Sequence, residues 1–110
     1  MSIYKFRYFF DAGSGVCLWS SNARARERWS YAVNCSELPL SRELQRALDG
    51  VIASFDKGID WAYPAESPIW NADEHASFNV NAQRVLLTLQ KELGCEYEVV
   101  DESRTTSPGL

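Results

Sequence analysis

Aromatic side chains occupy alternate positions near the start of the chain, at Tyr4, Phe6, Tyr8 and Phe10. Successive residues of a β-strand project to opposite faces, so a strand over residues 3–10 would place all four rings on one face. Rings of this size need burial against other elements. The segment therefore predicts a sheet that is covered on one face and partly exposed on the other.

A glycine-rich turn, Gly13-Ser14-Gly15, follows this strand, and a second strand-like segment spans residues 16–20. Glycine adopts the positive φ angles that a tight reversal needs, so the pattern favours a β-hairpin. A phosphate-binding loop would need a longer glycine pattern with a lysine and would lead into a helix. Ser14 also lacks the strand–turn–helix setting of a nucleophile. Anion binding by the backbone N–H groups of the turn remains the alternative.

Three segments show the signals of helices. A short helix begins after a cap among residues 20–22 and ends near residues 29–31. A long helix follows Ser41 as N-cap and ends near Gly58, and a second begins at Asn71 in a capping box and ends at Gly94. The apolar residues at helical spacing are Leu44, Ala47, Leu48, Val51, Ile52, Phe55 and Ile59 in the first long helix, and Phe78, Ala82, Val85, Leu86, Leu89 and Leu93 in the second.

Residues 95–100 form the last predicted strand, with Glu96 and Glu98 on one face. Opposite charges on neighbouring strands are favourable by about 0.2–1 kcal/mol per pair, and the first strand offers Lys5 and Arg7. We therefore expect the first and last strands to be adjacent and antiparallel. The predicted fold is α+β: a small antiparallel sheet of about three strands, in the order 2-1-3, with two long helices and one short helix packed on one face.

The organisation of the chain predicts a single α+β domain over residues 1–102 and a disordered tail over residues 103–110. Of the 110 residues 45% are hydrophobic, but no apolar run approaches the roughly 20 residues that span a bilayer. The N-terminus lacks the apolar region and cleavage site of a signal peptide. We therefore expect a cytoplasmic protein with no membrane partner.

Cysteine and histidine usage argues against a metal, a cofactor or catalysis. Cys17, Cys35 and Cys95 show no C-x-x-C spacing, so we expect reduced thiols that pack as small hydrophobes. His75, the only histidine, is predicted to be solvated at the start of a helix. Its pairing with the thiol of Cys17 or Cys95 is the catalytic alternative. Because no catalytic motif accompanies this histidine, we expect a protein that is not an enzyme.

The segment from Asp56 to Glu74 carries five acidic residues and one basic residue, whereas the rest of the chain is balanced. The net charge of −4 argues against nucleic acid as a partner. Aromatic residues and prolines in the same segment suit a preformed protein interface whose acids steer a basic partner. The predicted partner-binding residues are Asp56, Asp60, Trp61, Tyr63, Glu66, Trp70 and Asp73. The alternative is that the tryptophans pack the connection onto the helices.

Two other charged groups have simpler interpretations. Arg24, Arg26 and Arg28 recur at a spacing of two, which spreads them around a helix, so we expect a solvated surface with local ion pairs. Anion binding is the alternative for these arginines. The acids of the last strand could join Asp11 in a patch, which we interpret as a solvated sheet edge that discourages aggregation. The acids concerned are Glu96, Glu98, Asp101 and Glu102.

Residues 9–19, together with Leu38-Pro39-Leu40-Ser41 and Tyr97-Glu98-Val99-Val100-Asp101, resemble a group of small bacterial proteins. Such proteins are similar to the immunity proteins encoded beside interbacterial toxins. The resemblance implies a protein that binds and neutralises a cognate toxin with a basic surface, by occluding its active site or by holding the toxin in an inactive form, and it carries over no site residues. One alternative is a housekeeping interaction or scaffold domain, for example a homodimer that forms through an exposed sheet face or edge. Another is a small ligand-binding domain or enzyme that uses the glycine turn.

Overall fold

The computed structural model describes residues 3–11, 13–58 and 71–103. Within these ranges the chain is α+β, as predicted, and the predicted tail lies outside the described residues except for Ser103. In chain order the elements are β1 (Tyr4–Tyr8), β2 (Leu18–Ser20), α1 (Ala23–Trp29), β3 (Ala32–Val33), a 3₁₀ turn (Cys35–Glu37), α2 (Arg42–Lys57), α3 (Ala72–Leu93) and β4 (Tyr97–Asp101).

The helix ends predicted from local residues are confirmed. The side chains of Asn22 and Ser41 accept backbone N–H groups from the first turns of α1 and α2. Asn71 and Glu74 form both hydrogen bonds of a capping box at the start of α3. Gly94 ends α3 with a φ of 80°, a left-handed conformation that glycine adopts without steric cost. These ends depend on contacts within a few residues, which is why the sequence reveals them.

The sheet has four strands in the order β3-β2-β1-β4. β1 and β2 are antiparallel, as are β2 and β3, which confirms the hairpin. In the predicted order 2-1-3 the third strand is the last one, which the structure numbers β4. The prediction is therefore correct for β2, β1 and β4 but omits β3, because a strand of two residues is too short to show alternation. β4 lies beside β1 as predicted, with Lys5 opposite Glu98 and 3.9 Å between Nζ and Oε2.

The direction of β4 was predicted wrongly, because β4 runs parallel to β1. Acids and bases at a spacing of two can pair in either direction, so the charges did not discriminate between them. Arg7 pairs with Glu102, six residues after Glu96, which an antiparallel strand would have placed opposite Arg7. The path of the chain decides the direction: β4 begins where the N–H of Ile3 donates to the carbonyl of Glu96, at 2.8 Å, and then follows β1.

The core lies between one face of the sheet and the helices. Phe6 and Tyr8 are fully buried, and Tyr4 and Phe10 pack against the core at its two ends. The hydroxyl of Tyr8 donates to the backbone carbonyl of Ala82 at 3.0 Å, and burial raises the pKa of Tyr8, so this group stays a donor. Except for His75 in α3, the buried side chains of the long helices are among those predicted by periodicity: Leu44, Leu48 and Val51 in α2, and Phe78, Ala82, Val85, Leu86, Leu89 and Leu93 in α3.

Candidate functional site

Three segments that are distant in sequence meet at one end of the molecule. Phe10 follows β1 and packs between the two long helices, with 5.5 Å from its ring centroid to that of Phe55 and 5.3 Å to that of Phe78. The backbone N–H of Gly13 donates to Oδ1 of Asp56 at 3.2 Å. The hairpin turn, the last turn of α2 and the first turns of α3 therefore form one surface.

This surface concentrates negative charge, and we call it the acidic end. Its described acids are Asp11, Asp56, Asp73 and Glu74, from the three converging segments. Asp73 is exposed in the first turn of α3, where the positive end of the helix dipole favours a carboxylate. The segment that joins α2 to α3, which we call the acidic connection, follows Gly58 and precedes Asn71, and both of these residues lie at the acidic end.

The predicted partner-binding residues divide into two groups. Asp56 and Asp73 both lie at the acidic end, although 17 positions separate them in sequence. Asp56 is half-buried, and its carboxylate holds the hairpin turn through Gly13, so it also has a structural role. The other five residues lie outside the described residues: Asp60, Trp61, Tyr63, Glu66 and Trp70.

An open cleft of about 690 Å³ separates the last turns of α2 from α3. Its walls carry both signs of charge, with Lys57 and Arg84 facing the same space as Asp73 and Glu74, and Phe78 contributes apolar surface. Such a cleft offers charge complementarity and shape to the surface of another protein. Sequence reasoning found the acids of this site but not Arg84, whose place opposite α2 depends on helix packing.

The glycine turn is a structural hairpin. Gly13 and Gly15 have φ angles of 76° and 74°, the positive values that the turn was predicted to need. The N–H of Ser14 donates to the carbonyl of Asp11 at 3.1 Å, and its hydroxyl donates to the same oxygen at 2.8 Å. The N–H of Gly13 is held by Asp56. The N–H groups of Gly13 and Ser14, which could bind an anion, therefore already donate to the protein's own oxygens.

His75 does not lie in solvent as predicted, because only 2% of it is exposed. It shares the inner face of α3 with Phe78 and Ala82, three and seven residues later, so helical periodicity directs it into the core. Cys95 is exposed beyond the far end of α3, roughly 30 Å from His75 at 1.5 Å per residue, so this cysteine and histidine do not pair. The fold thus excludes the pairing of His75 with Cys95.

The thiols of Cys17 and Cys35 lie in the core, as expected of small hydrophobic side chains. A hydrogen bond between them, together with burial, raises the pKa of Cys17 well above its usual range. Within the described ranges, no group of three or more His, Cys, Asp or Glu side chains is arranged to hold a metal ion. Among the described helices, none has the length and apolar character to cross a membrane.

Two acids in or directly after the chain's last strand, Glu98 and Glu102, are each held by a basic residue of β1. Glu98 lies near Lys5, and Glu102 accepts from Nε and Nη2 of Arg7 at 2.8 Å each. Arg7 also lies over the ring of Phe9, with 5.1 Å from its Cζ to the ring centroid. Hydrogen bonding to Arg7 holds the pKa of Glu102 below its usual range. Arg7 and Glu102 therefore attach the end of β4 to β1.

The arginines of α1 are not equivalent. Arg24 and Arg28, four residues apart, line one groove of about 390 Å³ together with Tyr4 and Glu27, which we call the arginine groove. Arg26 is exposed elsewhere on the helix. The predicted local ion pairs are absent within residues 3–11, 13–58 and 71–103, where no carboxylate lies within 4.0 Å of these guanidinium groups. The spacing of four between the outer arginines was the sequence signal for this groove.

A comparison with known protein families confirms the resemblance to immunity proteins. A comparison with curated proteins found no match. A family model described as Serratia CdiI immunity protein-like matches residues 8–103, from the last residue of β1 to just beyond β4. Since this match covers nearly the whole described fold, the chain belongs to the Serratia CdiI immunity protein-like family.

Proposed function

We propose that this protein binds a cognate interbacterial toxin in the cytoplasm and neutralises it by covering the toxin's active site, without catalysing a reaction itself. Membership of an immunity protein-like family supports a role in toxin immunity. The observation that carries the proposal further is the convergence of the hairpin turn, α2 and α3 at the acidic end. A surface made by three segments can present a fixed shape to a partner.

The chemistry of the acidic end suits a toxin with a basic surface. Asp73 and Glu74 border the cleft, and the acidic connection begins and ends beside them. Complementary charge accelerates diffusional encounter, and this acceleration decreases as salt screens the charges. Large aromatic side chains then supply the buried contacts that dominate binding energy. We assign these two roles to the acids Asp56, Asp60, Glu66 and Asp73, and to the aromatic residues Trp61, Tyr63 and Trp70.

The test uses the purified chain and the toxin domain encoded beside its gene. We expect the wild-type chain to block the toxin's activity at equimolar concentration. Replacing Trp61 and Trp70 by alanine should lower the affinity by at least about tenfold each, the effect typical of an interface hot spot. Asp73→Lys should mainly slow association, and this effect should diminish as ionic strength rises.

A matched control is Tyr31→Ala, because Tyr31 is an aromatic residue that is 47% exposed and packs beside Trp19 in β2, away from the acidic end. This variant should bind the toxin like wild type. If the tryptophan variants retain wild-type affinity, the assigned interface is wrong. If the wild-type chain does not inhibit the toxin at all, the proposed function is wrong.

A further inference from the structure

The arginine groove has the parts of an oxyanion site. The guanidinium of Arg28 is held in place by two rings, with its Cζ 5.0 Å from the centroid of Trp29 and 5.5 Å from that of Tyr4. Its Nη1 donates to the hydroxyl of Tyr4 at 2.9 Å. Trp29 is buried and also packs on Tyr4, at 4.7 Å between centroids, so the rings themselves are fixed. Arg28 is therefore a preorganised donor.

Three sets of donors face the groove. Arg24 lies one helical turn before Arg28 and lines the same space. The hydroxyl of Tyr4 accepts from Arg28, which leaves its own proton to donate. Guanidinium groups present planar pairs of N–H donors that match the two oxygens of a carboxylate or the oxygens of a phosphate. The groove thus combines two guanidinium groups and a hydroxyl around one open space.

The protein itself shows what completes such an arrangement. Arg7 also lies on an aromatic ring, and it binds both oxygens of the Glu102 carboxylate at 2.8 Å. Arg28 has the aromatic support and the fixed position, but within the described residues no carboxylate is paired with it or with Arg24. By analogy with Arg7, a planar oxyanion is the kind of group that would complete the arrangement around Arg28.

We propose that the arginine groove binds a carboxylate of the protein partner, an aspartate or glutamate side chain that enters between Arg24 and Arg28. This inference rests on the proposed function for the identity of the partner. The groove lies at Tyr4, the first residue of β1, whereas the acidic end lies beyond its last residue. Contacts of opposite charge at the two ends of β1 would fix the orientation of the toxin, because a reversed complex would bring like charges together.

Glu27 provides a further test of the proposal, because this acidic residue also lines the groove. An exposed carboxylate beside the site repels an incoming anion and competes for the same donors. Glu27→Gln removes the charge and keeps the shape, so it should tighten binding of an anion several-fold. A groove with no role in anion binding would show no such change.

The first experiment needs no toxin. Sodium acetate, as the carboxylate probe, is titrated into the full chain while NMR follows the side-chain Nε–Hε signals of its arginines, at constant ionic strength set with chloride. We expect the signals of Arg24 and Arg28 to move together and to saturate, while Arg26 stays unchanged. Arg28→Lys keeps the charge but loses the planar donor pair, so it should abolish saturation. Equal movement of all three arginines, or no saturation, would overturn the proposal.

The second experiment measures binding of the toxin domain. Arg24→Ala and Arg28→Lys should each weaken the complex by about tenfold, as expected when one partner of a charged hydrogen bond is lost. Arg26→Ala is the matched control and should bind like wild type. Thermal unfolding of each variant identifies any loss caused by misfolding, and Arg24→Ala is the informative variant because Arg24 supports no ring contact within the described residues.

The outcomes separate this inference from the proposed function. If the toxin is neutralised but neither arginine variant weakens the complex, the carboxylate site is wrong and the immunity function stands. If acetate saturates the groove but the toxin does not bind, the proposed function fails and the oxyanion site remains. Inorganic phosphate and single-stranded RNA serve as further probes. Tight binding of RNA, lost in Arg28→Lys, would replace the protein carboxylate by a nucleic-acid phosphate and overturn the assignment of the partner.

Discussion

Arg7 and Arg28 occupy similar local environments, yet of the two only Arg7 has a carboxylate partner among the described residues. Each guanidinium lies about 5 Å from the centroid of an aromatic ring, Phe9 for Arg7 and Trp29 for Arg28. Arg7 binds Glu102 with two hydrogen bonds, and so joins the end of β4 to β1. Within the described part of the chain, Arg28 donates to the hydroxyl of Tyr4, pairs with no carboxylate and borders a groove. The difference teaches that an arginine packed on an aromatic ring can stabilise the fold when a carboxylate of the same chain binds it. Without such a carboxylate, the guanidinium remains available to a partner.

The largest expected difference between the two environments concerns their aromatic supports. Trp29 is 9% exposed and packs on Tyr4 and Phe6, so Trp29→Ala should lower the free energy of unfolding by about 3–5 kcal/mol. Phe9 is only half-buried, so Phe9→Ala should cost about 1 kcal/mol. Urea unfolding monitored by circular dichroism measures both values. An equal cost for the two substitutions would mean that Arg28 does not rest on the firmer support.

The second prediction supplies Arg28 with an internal carboxylate. Arg24→Glu places an acid four residues before Arg28, the favourable order for an ion pair on a helix. Arg28 should then resemble Arg7: acetate should no longer shift its Nε–Hε signal, and affinity for the toxin should fall by about tenfold or more. Arg26→Glu makes the same change of charge on another side of α1. Equal losses in both variants would show an effect of net charge and contradict a defined site.

The third prediction concerns the removal of the carboxylate that binds Arg7. Glu102→Gln removes the carboxylate but keeps the shape, so the Nε–Hε signal of Arg7 should become responsive to acetate, as we expect for Arg28. The amide of Glu102 donates to the carbonyl of Tyr8 at 3.0 Å, and its hydrogen exchange should accelerate in the variant as the end of β4 loosens. If the Arg7 signal does not shift with acetate, an aromatic support and a guanidinium without a carboxylate partner are not sufficient to bind acetate.

The smallest expected effect is a difference in the dependence of stability on pH. Hydrogen bonding to Arg7 holds the pKa of Glu102 below its usual range, so the folded state binds fewer protons than the unfolded chain in that interval. This contribution to stability is complete above the unfolded pKa and is lost as pH falls through the folded pKa. Unfolding measured between pH 7 and pH 3 should show a weaker pH dependence in Glu102→Gln than in wild type, and Arg24→Ala should keep the wild-type dependence.

Sequence reasoning succeeded where structure depends on neighbours along the chain. The positions of Ser41, Asn71 and Gly94 predicted the ends of the long helices, because caps satisfy backbone groups within one turn. The alternation at Phe6 and Tyr8 predicted the buried face of the sheet, since a strand repeats every two residues. These features needed no knowledge of the rest of the molecule.

Prediction of the candidate sites was partial for a related reason. The excess of acids marked Asp56 and Asp73, but only the fold brings them beside Gly13 and Arg84. A helix start looked like a solvated position for His75, although its spacing from Phe78 placed it on the inner face. The arginines of α1 were interpreted by their spacing of two, and the relation between Arg24 and Arg28 emerges from the groove that they share.

The sequence by itself determined the α+β class, the hairpin, the helices with their caps, and the faces that are buried, because all of these follow from local periodicity and from single residues with special backbone preferences. Only the tertiary structure decided the parallel direction of β4, the convergence of three segments at the acidic end, and which arginine receives a carboxylate from its own chain. The charges on a strand or helix determine which sign of charge they attract, but not which charged residue lies close enough to pair with them. That choice depends on where distant elements end once the core is packed.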